Sequence, residues 1–165
     1  MNINLIVNGT THALDIAPGE RLLDTLRQLG YTSVKFGCGE GTCGSCTVLL
    51  DGDVRLACIT FTAQVAGRQI TTAEGLGGHG HLHPLQQAFL DEGAVQCGYC
   101  TPGMLLAAKA LLDGTPAPTD AEITRALDGN RCRCTGYVAI LNAVRRAAKL
   151  STQRHQGTKS QRPST

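Results

Sequence analysis

The sequence has no tryptophan, and aromatic residues of all kinds make up only 4% of its 165 residues. Large rings cannot fill much of a core here, so the core must be aliphatic and needs some further device to hold it together. Apolar residues reach 42% and charged residues 17%, which is typical of a globular chain rather than a disordered one. Eight cysteines are the obvious candidates for the device.

A clustered basic surface, the usual mark of a nucleic-acid-binding protein, is also missing. The formal net charge is +2, but the last fifteen residues hold three basic residues and no acidic one, so 12 basic residues face 13 acidic ones in the remainder. This balance predicts no nucleic-acid partner. The segment 151–165 is rich in Ser, Thr, Gln and Arg without apolar periodicity, and we expect it to be a disordered tail.

Long apolar runs are absent as well. The opening residues, MNINLIVNG, contain no basic segment followed by an apolar stretch, so we expect neither a signal peptide nor a membrane span and predict a cytoplasmic protein. Structural disulfides are rare in a reducing compartment. Eight cysteines therefore indicate metal binding or redox catalysis.

The first half of the sequence consists of short runs in which apolar and polar residues alternate, as in β-strands. Two runs join at Asn8-Gly9 and two more at Asp51-Gly52, and both dipeptides are strong signals for a two-residue hairpin. A further strand is predicted at 69–72. Between the hairpins four leucines share one helical face before the helix stop at Gly30: Leu22, Leu23, Leu26 and Leu29.

From residue 82 the apolar period changes to that of helices. Start and stop signals predict four of them, at about 83–92, 101–112, 119–128 and 137–150. Consecutive short helices favour a compact bundle. The predicted organisation is therefore an α+β domain over 1–76, a helical domain over 77–150 and the tail over 151–165.

Four cysteines in the first half follow the spacing Cys38-x4-Cys43-x2-Cys46-x11-Cys58. The leading spacing is that of plant-type ferredoxins, which hold a [2Fe-2S] cluster with four thiolates. The second hairpin delivers the fourth thiol, since antiparallel pairing sets Cys46 beside Cys58 to within about one residue. Glycines let backbone N–H groups wrap closely around a negatively charged cluster, and we interpret four of them in this way: Gly37, Gly39, Gly41 and Gly44.

A zinc site is the alternative for these four thiols. Four-thiolate zinc sites usually take two short-spaced cysteine pairs that are far apart in the chain. Here three of the four cysteines share one loop. The spacing therefore favours the iron–sulfur cluster over zinc.

The second half carries another quartet, Cys97-x2-Cys100-x31-Cys132-x-Cys134. Its first pair, placed before a helix, also resembles a thioredoxin-like redox site. That alternative needs a βαβ context, whereas a predicted helix precedes the motif, and it leaves Cys132 and Cys134 without a role. A helix bundle can bring both cysteine loops to one end, so we predict a second cluster here.

Three motifs resemble those of the small iron–sulfur subunit of the xanthine oxidase, or molybdenum hydroxylase, family: GCGEGTCGSCTV at 37–48, QCGYCTPGM at 96–104 and GNRCRCTGY at 129–137. The resemblance extends over about residues 3–150. It implies an α+β chain in which a plant-ferredoxin-like β-grasp domain precedes a four-helix bundle, with one [2Fe-2S] cluster in each. The eight cysteines are then the iron ligands.

The resemblance also implies partners. In that family a large subunit binds molybdenum through a molybdopterin dinucleotide and oxidises the substrate, and a medium subunit carries FAD. This chain would be the electron-transfer subunit, with no catalytic residue of its own, in a heterotrimer or a dimer of heterotrimers. The helical-domain cluster would be nearer the pterin and the ferredoxin-like cluster nearer FAD. Gln96 matches a family position that hydrogen-bonds the pterin, and Cys134 is the ligand expected to abut it.

Two other functions remain open at this point. A free-standing two-cluster ferredoxin would be a monomer with a polar helical surface, and a zinc-stabilised interaction module would be colourless. The histidines at 79, 81 and 83 alternate in a glycine-rich connector, which we interpret as a solvated link whose last member, His83, caps a helix. The substrate cannot be read from this sequence, because it binds to another chain.

Overall fold

The computed structural model describes residues 1–78 and 80–159. His79, one member of the histidine connector, lies outside the described residues, and so does the end of the predicted tail, 160–165. The described residues form an α+β structure with two hydrophobic cores, one in each half of the chain.

A mixed five-stranded sheet makes up the first half, in the order β2-β1-β5-β3-β4. Its strands are β1 (Asn2–Val7), β2 (Thr10–Asp15), β3 (Thr47–Leu50), β4 (Asp53–Leu56) and β5 (Gln69–Thr71). β5 lies parallel to β1 and antiparallel to β3, so it joins the two hairpins into one sheet. The helix α1 (Leu22–Gln28) packs its leucines on the sheet in a single core with Leu5, Val7 and Ile70.

Both hairpin turns have the geometry that their dipeptides predict. Asn8 and Gly9 have φ angles of 49° and 81°, and Asp51 and Gly52 have 51° and 93°. A turn with both central residues in the left-handed region matches the twist of the flanking strands. The β1–β2 and β3–β4 pairs are antiparallel as expected.

Four helices make up the second half as far as Lys159, where the description ends: α2 (Pro84–Asp91), α3 (Thr101–Gly114), α4 (Asp120–Leu127) and α5 (Val138–Lys159). The predicted bundle is therefore confirmed. Two of its N-termini are capped by side chains, because the N–H of Leu85 donates to His83 Nδ1 at 3.2 Å and the N–H of Glu122 to Thr119 Oγ1 at 3.3 Å. No helix among the described residues has the length and apolar character required to cross a bilayer.

The last helix is longer than the sequence predicts. The backbone of α5 stays helical to Lys159, whereas the sequence ends the helix at residue 150 and begins the disordered tail at 151. Apolar periodicity stops at 150, and periodicity is what a sequence-based boundary follows. A polar stretch containing good helix formers such as Gln and Arg can nevertheless continue a helix that is already nucleated.

Candidate functional site

The first four cysteines come together beside the β3–β4 hairpin. Cys46 ends the loop before β3, and Cys58 lies in the short 3-10 turn after β4. Thr47 pairs with Leu56, and the N–H of Ala57 donates to the carbonyl of Cys46 at 3.2 Å. The hairpin therefore sets Cys46 and Cys58 within one residue of each other, as the register predicts. Both are buried, whereas Cys38 and Cys43 are half-buried.

Within this quartet the surroundings shift the pKa values of two thiols in opposite directions. The backbone N–H of Glu40 and the Thr42 side chain are the main hydrogen-bonding groups that lower the pKa of Cys38, to about 5. Burial, with the neighbouring Cys58 adding to it, raises the pKa of Cys46 to about 12. A buried thiolate beside other thiols needs a compensating positive charge, and a bound metal supplies it.

Gly37 shows that the loop is shaped around its sulfurs. A Cβ on Gly37 would stand 2.6 Å from Cys43 Sγ, well inside the contact distance of two such atoms. On the other side of the loop, the N–H of Thr42 donates to Cys38 Sγ at 3.3 Å. The close wrapping expected from the glycines is thus present at Gly37.

The second four cysteines lie at one end of the bundle. Cys97 and Cys100 occupy the α2–α3 connection, and Cys132 and Cys134 occupy the α4–α5 connection. Cys97 Sγ and Cys134 Sγ are 3.5 Å apart. The bundle therefore brings both loops together, as predicted. Cys100 is buried and Cys132 half-buried, while Cys97 and Cys134 are exposed.

In the second quartet too, burial and hydrogen bonding shift the pKa values of the thiols in opposite directions. Burial, followed by the neighbouring Cys132, raises the pKa of Cys100 to about 12. Burial also acts to raise the pKa of Cys132, but hydrogen bonds from Thr135 outweigh it and lower that pKa to about 7. The Thr135 N–H lies 3.4 Å from Cys132 Sγ. The neighbouring Cys97 thiol raises the pKa of Cys134.

One buried polar atom beside the second quartet has no partner within the described part of the chain. Among the described residues, no three or more His, Cys, Asp or Glu side chains stand close enough to hold a single metal ion. Thr101 directly follows Cys100, and its buried Oγ1 is the one buried side-chain N or O in the described part of the chain without a hydrogen-bond partner. A bound inorganic sulfide or cysteine thiolate beside it would provide an acceptor.

The two quartet loops touch each other. The backbone N–H of Arg131, which precedes the ligand candidate Cys132, donates to the carbonyl of Cys43 at 2.9 Å. The neighbours of these two residues are hydrogen-bonded as well: the side-chain amide of Asn130, which precedes Arg131, donates to the carbonyl of Gly44, which follows Cys43, at 3.0 Å. The Tyr99 hydroxyl donates to the carbonyl of Phe36.

Gly44 has a role that the sequence does not reveal. Its φ is +70°, and a Cβ there would meet the Gly129 carbonyl oxygen at 2.5 Å and Asn130 Nδ2 at 2.6 Å. Glycine is thus required at position 44 by the contact with the second quartet's loop, and not only by the close wrapping of the first quartet's loop. Gly103 of α3 packs against the same contact, since a Cβ on it would stand 2.4 Å from the Gly44 carbonyl oxygen. The sequence did not single out Gly103, Asn130 or Thr101, although all three lie inside the quoted motifs, because none of them is a ligand by residue type.

Gln96 is exposed at the start of the Cys97 loop. It directly precedes Cys97, whose exposed sulfur lies 3.5 Å from the exposed Cys134 Sγ on the outer edge of the second quartet. Its predicted contact is with a molecule outside this chain, so the role stays a prediction here.

A ferredoxin-like sheet and a helix bundle, each with a cysteine quartet and with their loops in hydrogen-bonded contact, define a two-cluster electron-transfer protein.

Comparisons with known proteins give the same answer. Two family models match, a 2Fe-2S iron-sulfur cluster binding domain over residues 5–73 and a [2Fe-2S] binding domain over residues 72–145. The nicotinate dehydrogenase small FeS subunit of Eubacterium barkeri is 53% identical over 150 residues, which cover 90% of this chain and 96% of that protein. Another nicotinate dehydrogenase subunit, from Pseudomonas putida, is 51% identical over 148 residues, which cover 89% of this chain and 94% of that protein.

Solved structures agree in fold. A chain of quinoline 2-oxidoreductase from Pseudomonas putida 86 superimposes with a TM-score of 0.88 at 40% identity, over 93% of this chain and 96% of that chain. The aldehyde oxidoreductase of Desulfovibrio desulfuricans gives a TM-score of 0.89 at 47% identity, over 92% of this chain but 17% of that longer chain.

The chain belongs to the family of small iron–sulfur subunits of molybdenum hydroxylase-type dehydrogenases, and it binds two [2Fe-2S] clusters. The relatives are parts of larger enzymes, which does not favour the free-standing ferredoxin. Both matching family models describe iron–sulfur rather than zinc domains.

Proposed function

We propose that this chain carries electrons, one at a time, from a molybdenum–molybdopterin dinucleotide centre on a large subunit to FAD on a medium subunit. When bound, a [2Fe-2S] cluster accepts and releases a single electron. Oxidation of the substrate yields two electrons, so two one-electron carriers in series allow the molybdenum centre to discharge stepwise. The proposed ligands are Cys38, Cys43, Cys46 and Cys58 for one cluster and Cys97, Cys100, Cys132 and Cys134 for the other.

The observation that carries this proposal is the hydrogen bond from the Arg131 N–H to the Cys43 carbonyl, 2.9 Å long. Cys43 is a proposed ligand of the first cluster, and Arg131 is bonded to Cys132, a proposed ligand of the second. A route made of covalent bonds and this single hydrogen bond therefore connects one quartet to the other.

The pattern of exposure supports a partner surface beside each quartet. Gln96, Cys97 and Cys134 form the exposed edge of the second quartet, where a pterin on another subunit can approach and accept a hydrogen bond from the Gln96 amide. Large apolar side chains are exposed beside both quartets: Phe36, Ile59 and Phe61 beside the first, and Val95, Tyr99 and Val138 beside the second. An exposed apolar group beside an electron-transfer loop suits a partner subunit, here the FAD subunit at the first quartet and the molybdopterin-binding subunit at the second.

The assembly we propose is a heterotrimer, or a dimer of heterotrimers, of this chain with the molybdopterin-binding and FAD-binding subunits. Support comes from relatives that are themselves described as subunits, such as the xanthine dehydrogenase iron-sulfur-binding subunit of Escherichia coli. A cytoplasmic location stays a prediction from the sequence.

We further propose that the complex hydroxylates an N-heteroaromatic substrate. Two relatives above 50% identity are nicotinate dehydrogenase subunits, and a nicotine 6-hydroxylase small subunit is 46% identical. The pocket that selects the substrate lies on the large subunit, so kinetics of the purified complex with nicotinate, quinoline, xanthine and an aldehyde test this proposal. Preference for the aldehyde would contradict it.

The function is tested by co-expressing the three subunits and purifying the complex through a tag on this chain. We expect about four irons per chain, two distinct paramagnetic signals after reduction and stoichiometric molybdenum and FAD. Cys58→Ser should remove one signal and Cys100→Ser the other. Reduction by substrate should stop before FAD in both variants. Recovery of this chain alone, or full turnover in Cys100→Ser, would overturn the proposal.

A further inference from the structure

The hydrogen bond between the quartets is a backbone contact, so no side chain of Cys43 or Arg131 makes it. Its length depends on what holds the two loops together on either side. On the Cys43 side the next residue is Gly44, and on the Arg131 side the preceding residue is Asn130. These two residues are also hydrogen-bonded to each other.

Asn130 is the side chain that crosses this contact. It is buried, with 5% of its surface exposed, and its Nδ2 donates to the Gly44 carbonyl at 3.0 Å and lies 3.3 Å from Thr47 Oγ1. Its own N–H donates to the carbonyl of Leu127 at the end of α4. The side chain therefore ties a residue anchored to the bundle to the strand that follows the first quartet.

The packing at this point leaves little freedom for the loops to slide. Gly103 of α3 faces the same atoms, since a Cβ on it would stand 2.4 Å from the Gly44 carbonyl oxygen and 2.7 Å from Asn130 Nδ2. The Gly44 carbonyl also accepts from the N–H and hydroxyl of Thr47, at 3.1 and 2.7 Å. The Gly44 carbonyl oxygen thus accepts two hydrogen bonds from Thr47 on its own strand, and the Asn130 amide is the donor that reaches it from the bundle.

We propose that Asn130 is a positioning residue for electron transfer between the two quartets: by bonding to the Gly44 carbonyl it holds the neighbouring Cys43–Arg131 hydrogen bond closed. Without it, the bundle and the sheet retain their separate cores but the gap between the two loops opens. The rate of a step between two held groups depends on their relative position, so a wider gap between the loops lowers the rate of electron transfer across it. This proposal rests on the proposed function, because it concerns the rate of one step in it.

The test uses the complete complex with Asn130→Ala, which removes the amide, and Asn130→Asp, which puts an oxygen against the Gly44 carbonyl oxygen at nearly constant volume. Asn8→Ala is the matched control. The Asn8 amide makes two 2.9 Å hydrogen bonds with Thr72, so its loss weakens the fold away from both quartets. Each protein is mixed rapidly with substrate under anaerobic conditions, and the reduction of each cluster is followed by freeze-quench electron paramagnetic resonance.

We expect both Asn130 variants to keep the wild-type iron content and to reduce the second-quartet cluster at the wild-type rate. Reduction of the first-quartet cluster should be several-fold slower, and the magnetic splitting between the two reduced clusters should be weaker. Asn8→Ala should show neither change. An outcome in which no protein, including the wild type, passes electrons from substrate to either cluster would contradict the proposed function instead.

Two results would overturn the inference about Asn130. One is an unchanged rate of first-cluster reduction and unchanged magnetic splitting in both variants. The other is loss of iron from both variants, because Asn130 would then be needed to assemble the sites rather than to space them.

Discussion

Gly44 and Gly103, one from each half of the molecule, approach so closely that a Cβ on Gly103 would stand 2.4 Å from the carbonyl oxygen of Gly44. Neither the sheet nor the bundle alone requires a glycine with such close neighbours. The contact is where the two halves, and their two cysteine quartets, are joined.

Gly103→Ala should therefore destabilise the protein even though it lies within a helix. Alanine is intrinsically better than glycine inside a helix by about 1 kcal/mol, but overpacking against a fixed backbone oxygen costs about 1–3 kcal/mol. We expect a lower apparent Tm of the complex. Gly114→Ala, in the same helix with no atom within 4 Å of the added Cβ, is the control and should leave Tm unchanged or raise it. Equal effects of the two substitutions would refute the packing argument.

Gly37→Ala and Gly44→Ala should be distinguishable by the cluster that each one affects. The Cβ on Gly37 meets Cys43 Sγ, whereas the Cβ on Gly44 meets the loop of the second quartet. We expect Gly37→Ala to lose the first-quartet paramagnetic signal and keep the second. Gly44→Ala, strained also by its φ of +70°, should weaken both signals. Retention of the second signal at full strength in Gly44→Ala would show that its loop tolerates displacement.

Thr101→Val should shift the reduction potential of the second-quartet cluster to more negative values. The buried Thr101 hydroxyl has no partner among the described residues, and hydrogen bonds to cluster sulfurs stabilise the reduced, more negative state. We expect a shift on the order of tens of mV, where about 59 mV is a tenfold change in a one-electron equilibrium. Thr101→Ser keeps the hydroxyl and should keep the potential. Redox titration monitored by paramagnetic resonance measures both, and identical potentials in Val and Ser variants would exclude the hydrogen bond.

Glu74 should make the protein sensitive to acid. Burial acts to raise the pKa of this carboxyl, but hydrogen bonds from Ser33 and Thr72 outweigh it and hold the pKa below its ordinary value of 4.5. The folded state thus favours the carboxylate, and its stabilisation is complete above the unfolded pKa and is lost as pH falls through the folded one.

Glu74→Gln should lower the apparent stability at neutral pH by about 1 kcal/mol, a value reduced for the partial exposure of the group. The difference from the wild type should shrink below pH 4.5. Thermal denaturation at a series of pH values measures this difference. Asp53→Asn is the control, because the Asp53 carboxylate is exposed and its ion pair with Arg55 is long, at 4.0 Å. A difference between Glu74→Gln and wild type that stays constant down to strong acid would exclude this origin.

Local signals predicted much of the fold. Asn8-Gly9 and Asp51-Gly52 force their turns, the Thr119–Glu122 capping box starts α4, and the cysteine spacing marks both loops. The end of α5 and the contact of Asn130 with Gly44 were not predictable in this way. The first depends on continuation of a helix without an apolar face, and the second joins residues 86 positions apart, for which no local pattern exists.

The central position of β5 has a consequence for biosynthesis. The β1–β2 and β3–β4 hairpins share no hydrogen bond with each other and are joined in the sheet only through residues 69–71. During translation the sheet cannot close until this short strand has left the ribosome exit tunnel. The β3–β4 hairpin, which is flanked by Cys46 and Cys58, therefore cannot take its place in the complete sheet until residues 69–71 have emerged.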